Sequence, residues 1–143
     1  MAVLYGGVRV TFTHSEYKIY HPRLLYGGTI DAIGTQDGET VIYDWKSTNK
    51  LTASGNLSTP KTRHAVQLGG YQSALEALSR KYEDIPQPTK AFVVYVYKDT
   101  HREGVQPIEL YEVDLAKAKK AFIACLRTYR GVLGGKKALY VTR

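Results

Sequence analysis

Residues 28–48 hold the clearest pattern in the chain. Gly28-Thr29-Ile30-Asp31-Ala32-Ile33-Gly34 and Thr40-Val41-Ile42-Tyr43-Asp44-Trp45-Lys46-Ser47 are apolar-rich, β-branched runs on either side of Asp37-Gly38. Two such runs around Asp-Gly predict a β-hairpin. Upstream, residues 8–12 and 16–20 alternate with the period of a strand, and His21-Pro22 breaks the alternation. Gly27-Gly28 permit a bulge or a close backbone approach. The first 46 residues therefore read as a meander of three or four antiparallel strands.

Residues 48–63 turn polar and irregular, with a Ser/Thr/Asn/Lys content suited to phosphates. From about residue 64 to 82 the period becomes helical, with Gln67, Gly70, Tyr71, Ala74, Leu75, Leu78 and Tyr82 on one stripe and Thr62 as N-cap. Gln67 stands where an apolar residue is expected, so it needs a partner. Residues 90–97 read as a central strand buried on both faces, residues 98–104 as a charged loop, and residues 108–113 as a half-exposed strand. Asp114 is placed to cap a last helix whose apolar face carries Leu115, Ala118, Phe122, Cys125, Leu126 and Tyr129. Its outer face carries Lys117, Lys120, Arg127 and Arg130, and a basic tail follows from residue 133.

Length and charge narrow the picture. The 143 residues are expected to form one domain, and the formal net charge of +7 favours a polyanionic partner. One cysteine, Cys125, excludes an internal disulfide and reads as a buried core thiol. No apolar run approaches the roughly 20 residues that cross a bilayer. With no signal-peptide pattern at its start, the chain is expected to be intracellular, in a prokaryotic host or virus-encoded. A phosphate loop followed by Lys-Ser or Lys-Thr, a Gly-x-Ser-x-Gly elbow and zinc-ligand spacings are all missing. His14, His21, His64 and His101 read as surface residues, with His64 set apart by its nearness to Gln67.

The hairpin itself carries the candidate chemistry. If Asp37-Gly38 closes it symmetrically, residues whose numbers add to 75 face one another, and Asp31 meets Asp44. Directly opposed carboxylates repel. Either they bracket a hard divalent cation, or the hairpin is a surface one with a cross-strand Asp–Lys pair. Lys46, two residues on, shares the face of Asp44. Two carboxylates and a lysine match metal-assisted phosphodiester hydrolysis, in which the lysine orients or activates water or stabilises charge on the phosphate.

Gly28-Thr29-Ile30-Asp31, Asp44-Trp45-Lys46-Ser47 and Gln67-Leu68-Gly69-Gly70-Tyr71, in that order, resemble the PD-(D/E)XK nuclease superfamily. The branch they resemble is the RecB-type exonucleases, which include the mitochondrial genome maintenance exonuclease and viral relatives. The likeness covers roughly residues 16–130. It implies an α/β, restriction-endonuclease-like mixed sheet with an antiparallel hairpin core, flanked by two main helices, over a single domain of residues 1–143. It also implies Asp31, Asp44 and the Trp45 carbonyl as ligands of Mg²⁺ or Mn²⁺, Lys46 as the catalytic lysine, and Gln67 and Tyr71 over the site. Glu16 stands where many relatives carry a glutamate. The implied substrate is DNA, single-stranded or at duplex ends, cut with little sequence specificity and with no membrane involved. A homo-oligomer or a partner protein remains open.

One departure is plain. Relatives of that branch carry an upstream helical Gly-x-x-x-His whose histidine completes the metal site, and no Gly-x-x-x-His occurs in this chain. His14, Glu16 or a partner chain are the candidates to replace it. The rival readings are a nuclease-fold domain that binds nucleic acid without efficient chemistry, and a structural subunit of a replication, recombination or packaging assembly.

Overall fold

The computed structural model describes residues 2–5, 8–48, 61–97 and 108–139. Six strands form one mixed sheet in chain order: β1 (Ala2–Tyr5), β2 (Val8–His21), β3 (Tyr26–Gln36), β4 (Glu39–Thr48), β5 (Lys90–Tyr97) and β6 (Ile108–Glu112). All neighbours are antiparallel except β4 and β5, which run parallel and are joined through α1 (Thr62–Ser79). Parallel neighbours need such a crossover. The expected meander is present as β1–β4. The two alternating runs before residue 21 are one long strand, kinked by a register shift between Phe12 and His14.

The β3–β4 hairpin closes as expected. Asp37 and Gly38 have φ of 52° and 78°, the left-handed pair that suits a two-residue turn. Pairs run from Gln36↔Glu39 through Ile33↔Ile42 to Ala32↔Tyr43. The sheet buries Ile19, Ile30, Ile33, Ile42 and Val93 against Leu68, Tyr71, Ala74, Leu75 and Leu78 of α1. The other face carries a smaller cluster of Val10, Ala32, Val41, Tyr43 and Val94, edged by half-buried Phe12, Phe92, Val96, Ile108 and Leu110. Among the described residues no helix covers that second face, so β5 is only partly buried there, short of the burial on both faces that its sequence predicts.

The last helix, α2 (Leu115–Leu139), packs chiefly on α1 rather than on the sheet. Gly69 and Gly70 let its backbone and Phe122 come close. Lys119 pairs with Glu76 at 2.9 Å across the two helices, and Tyr26 donates to the Gly70 carbonyl at 2.7 Å. Asp114 caps α2 as expected, accepting the Lys117 N–H at 3.1 Å.

Four local expectations are corrected. Thr62 lies inside α1, whose cap position is Lys61 with no side-chain bond. Tyr82 lies beyond α1 and is exposed. Cys125 and Tyr129 are exposed because α2 extends beyond its contact with α1. The helix also continues to Leu139, into the segment that the sequence marks only as a basic tail. Residues 49–60 and 98–107, which include most of the polar segment, the charged loop and His101, lie outside the described residues.

Candidate active site

The β3–β4 ladder ends at Ala32↔Tyr43, one pair short of Asp31 and Asp44. From there β4 pairs only with β5, and the Trp45 N–H donates instead to Asp31 Oδ2 at 2.9 Å. A strand residue sends its N–H and C=O to the same side, so the Trp45 carbonyl also faces this gap. Asp31 sits at a fault in the strand. Ile30 and Ile33 both point into the helix-side core while Ala32 joins the opposite cluster, which a regular two-residue period forbids. Opposite the fault Glu16 has φ of 48°, and neither Glu16 nor Asp31 belongs to the β2–β3 ladder. The register itself continues across this point, from Ser15↔Ala32 to Tyr17↔Ile30, with Glu16 and Asp31 left out of the ladder. Asp31 is thereby carried to the seam between the two faces.

Asp44 is 2 % exposed. Burial pushes its carboxyl up from the ordinary 3.8 to about 6; Lys46 pulls against this and the neighbouring Asp31 adds to it. Lys46 Nζ is 3.2 Å from Asp44 Oδ2, yet not along a hydrogen-bonding direction, and that oxygen is buried with no hydrogen-bond partner. The Lys46 ammonium thus meets the buried charge of this oxygen but leaves its lone pairs without a hydrogen bond.

Lys46 also donates to Gln67 Oε1 at 3.4 Å, and Gln67 Nε2 donates to Tyr71 at 2.7 Å. The polar residue on the apolar stripe of α1 thus links strand and helix. Tyr71 is pushed up to about 12, first by burial, then by Asp44 and Asp31, so it remains a phenol at neutral pH. Its ring rests on Gly28, where an added Cβ comes within 2.8 Å of Tyr71 Cε1. Gly28→Ala is expected to displace that buried ring, lowering the melting temperature by a few degrees and slowing the reaction at this site roughly tenfold, the scale of a misplaced positioning group. Parallel activity and calorimetric measurements check this.

Of the other candidates, Glu16 is exposed and faces the seam from β2. His14 bonds Thr13 Oγ1 at 2.9 Å and packs on Tyr17. His64 lies 2.9 Å from the Tyr95 hydroxyl, which also takes the Lys61 N–H at 3.0 Å. Burial, then Lys46, Arg63 and Lys61, keep His64 below its ordinary value. The sequence sets His64 apart by its nearness to Gln67, but its link to Tyr95 comes from the parallel register that pairs Tyr95 with Lys46, which no local pattern shows. Among the described residues no group of three or more His, Cys, Asp and Glu is placed to hold an ion.

A family model of the PD-(D/E)XK nuclease superfamily matches residues 7–137. The chain belongs to that superfamily. PD-(D/E)XK proteins are usually metal-dependent nucleases, and the mixed sheet with two helices is consistent with their restriction-endonuclease-like fold. A comparison with curated proteins finds no match. Among solved structures the chain is similar to SSO0001, with 20% identity and a TM-score of 0.42, covering 84% of this chain and 48% of that one. The chain therefore spans about half the length of that protein. No helix among the described residues is long and apolar enough to cross a membrane.

The site of this PD-(D/E)XK protein fits a hard divalent cation. Its donors are all oxygen, and Asp44 Oδ2, buried beside Lys46 with no hydrogen bond to it, has lone pairs left for such an ion.

Proposed function

We propose that the protein is a Mg²⁺- or Mn²⁺-dependent DNA exonuclease of the RecB type with little sequence specificity. The observation that carries this reading is the buried Asp44 oxygen without a hydrogen-bond partner, 3.2 Å from Lys46 and beside Asp31. Asp31, Asp44 and the Trp45 carbonyl would hold the metal, with water and substrate oxygens completing its shell. When bound, the ion polarises the phosphoryl group and acidifies water.

The chain's own residues supply the rest. Asp44 holds Lys46 near the scissile position, and Gln67 fixes the direction of its ammonium. From there the ammonium orients the attacking water and stabilises the charge that grows on the phosphate oxygens. Tyr71 anchors Gln67 and stays protonated. The basic surface draws the polyanion in, and no sequence-reading motif is visible, which supports backbone recognition with little base selectivity.

The test uses end-labelled single-stranded and duplex DNA with Mg²⁺, Mn²⁺ or EDTA, alongside Lys46→Ala. The expected result is metal-dependent shortening from an end, abolished by EDTA and by the substitution. No metal-dependent cleavage at any protein concentration overturns the reading, and salt-sensitive binding without cleavage then favours a binding domain.

A further inference from the structure

Beside Asp31, on the sheet face away from α1, a cleft of about 540 Å³ opens between β2 and the end of the hairpin. Phe12, His14, Glu16, Asp31 and Trp45 are the lining residues that give it chemistry. Alternation along β4 sends Asp44 and Lys46 toward α1 and Trp45 to the opposite face. The Trp45 indole is 40 % exposed. Behind it Tyr43 stacks at 5.8 Å and 13°, and Phe12 meets it edge-on at 6.0 Å. The ring is thus propped by two aromatics, a low-entropy platform that lines the cleft.

The occupant is set by charge. Two carboxylates, Glu16 and Asp31, line the cleft, and none of its lining residues is Lys or Arg. A phosphate is repelled there. A neutral, flat heterocycle with N–H donors is matched: its face to the indole, its edge to the carboxylates. Asp31 belongs both to this cleft and to the carboxylate pair, and the Trp45 N–H bonds Asp31 directly. A nucleotide whose phosphate sits at Asp31 and Asp44 therefore has its base within reach of the cleft, provided that base is unpaired.

We propose that this cleft binds an unpaired nucleobase of the strand held at the Asp31–Asp44 site, with Trp45 as the stacking platform, so that the preferred substrate is a single strand or a frayed end. The proposal rests on the nuclease reading above and specifies its substrate. It depends on the break in the alternation of β3 at Asp31: a regular β3 would keep Asp31 on one face, and the cleft and carboxylate pair would share no residue.

Trp45 is the only tryptophan of the chain, so all indole fluorescence comes from it, and the abasic oligomer separates stacking in the cleft from binding at Asp31. The Lys46→Ala protein in Mg²⁺ is titrated with a short single-stranded oligodeoxynucleotide and with an abasic oligomer of the same length, while wild-type protein is assayed for cleavage of the same strand. The expected result is saturable quenching, with the abasic oligomer binding roughly tenfold or more weakly, the scale of one base–aromatic stack. In the cleavage assay Trp45→Ala raises KM for the single strand by a similar factor, and Trp45→Phe recovers most of it. Equal binding of the abasic oligomer, or cleavage without quenching by either, overturns the cleft and leaves the nuclease reading intact. An unchanged KM in Trp45→Ala does the same. Selective quenching without any cleavage keeps the cleft and removes the nuclease reading. Loss of both signals overturns both.

Discussion

Asp44→Asn is expected to abolish cleavage while making the metal-free protein more stable. The two effects have one cause. Asp44 is 2 % exposed, and its carboxyl is raised from 3.8 to about 6, chiefly by burial. For a carboxyl raised in this way, the native state holds a proton between about pH 4 and pH 6 that the unfolded chain has released. Stability from this group therefore rises as pH falls through 6, and the full penalty is present above it. A shift of this size corresponds to at most about 3 kcal/mol. An amide carries no such charge. In EDTA at pH 8, calorimetry should show Asp44→Asn melting up to roughly 10 °C above wild type, with the gap closing toward pH 5. Mg²⁺ should reverse the order, since ligation stabilises only the protein that binds it, by about 2.7 kcal/mol at a hundred times the dissociation constant. Cleavage should fall by about 10³-fold or more, because the lost charge both holds the ion and fixes Lys46. A variant less stable than wild type in EDTA at pH 8 would show that the buried charge is already compensated within the protein, and the metal-site argument would fail with it.

That prediction draws on a feature the sequence displays openly. The Asp-Gly turn and the alternation around it fix the pairs from Gln36↔Glu39 to Ala32↔Tyr43, because a hairpin register is local, but not the expected pairing of Asp31 with Asp44, where the ladder has already ended. The helical stripe that puts Gln67 four residues before Tyr71 is local too. What the sequence hides is set by layers. Periodicity assumes a single covering surface, so Cys125 and Tyr129 look buried, whereas α2 leans on α1 and leaves those positions to solvent. Gly70 reads as a member of the helical stripe, and both it and Gly69 prove to be contact points for a second helix. The fault at Asp31 is hidden for another reason. It depends on Glu16 in the left-handed region on a neighbouring strand, and glutamate gives no signal for that conformation.

The glycines of α1 support the other large effect. Glycine inside a helix ordinarily weakens it by about 1 kcal/mol relative to alanine, so Gly→Ala in α1 should stabilise if nothing else intervened. At Gly69 something does. A Cβ there would lie 2.2 Å from the backbone carbon of Ala118 and 2.4 Å from the Lys119 nitrogen. These are main-chain atoms of α2 and have no rotamer to change, so the helices must separate. Separation loosens Ala118, which is buried in the helix-side core, and the Glu76–Lys119 pair at 2.9 Å. Gly69→Ala is expected to destabilise by about 3 kcal/mol or more, at or beyond the upper end of ordinary overpacking, and to lower the melting temperature by roughly 10 °C. Gly70→Ala should be milder, since its Cβ meets the Phe122 ring at 2.6 Å and a side chain can turn away. Gly131→Ala is the control. That helical position has nothing within 4 Å of an added Cβ, so only propensity acts and stability should rise by about 0.5–1 kcal/mol. Thermal melts of the three variants test the order Gly131→Ala above wild type, then Gly70→Ala, then Gly69→Ala. If Gly69→Ala melted at or above wild type, α2 would not be seated on α1 through this contact, and the three-layer packing behind the carboxylate site would have to be redrawn.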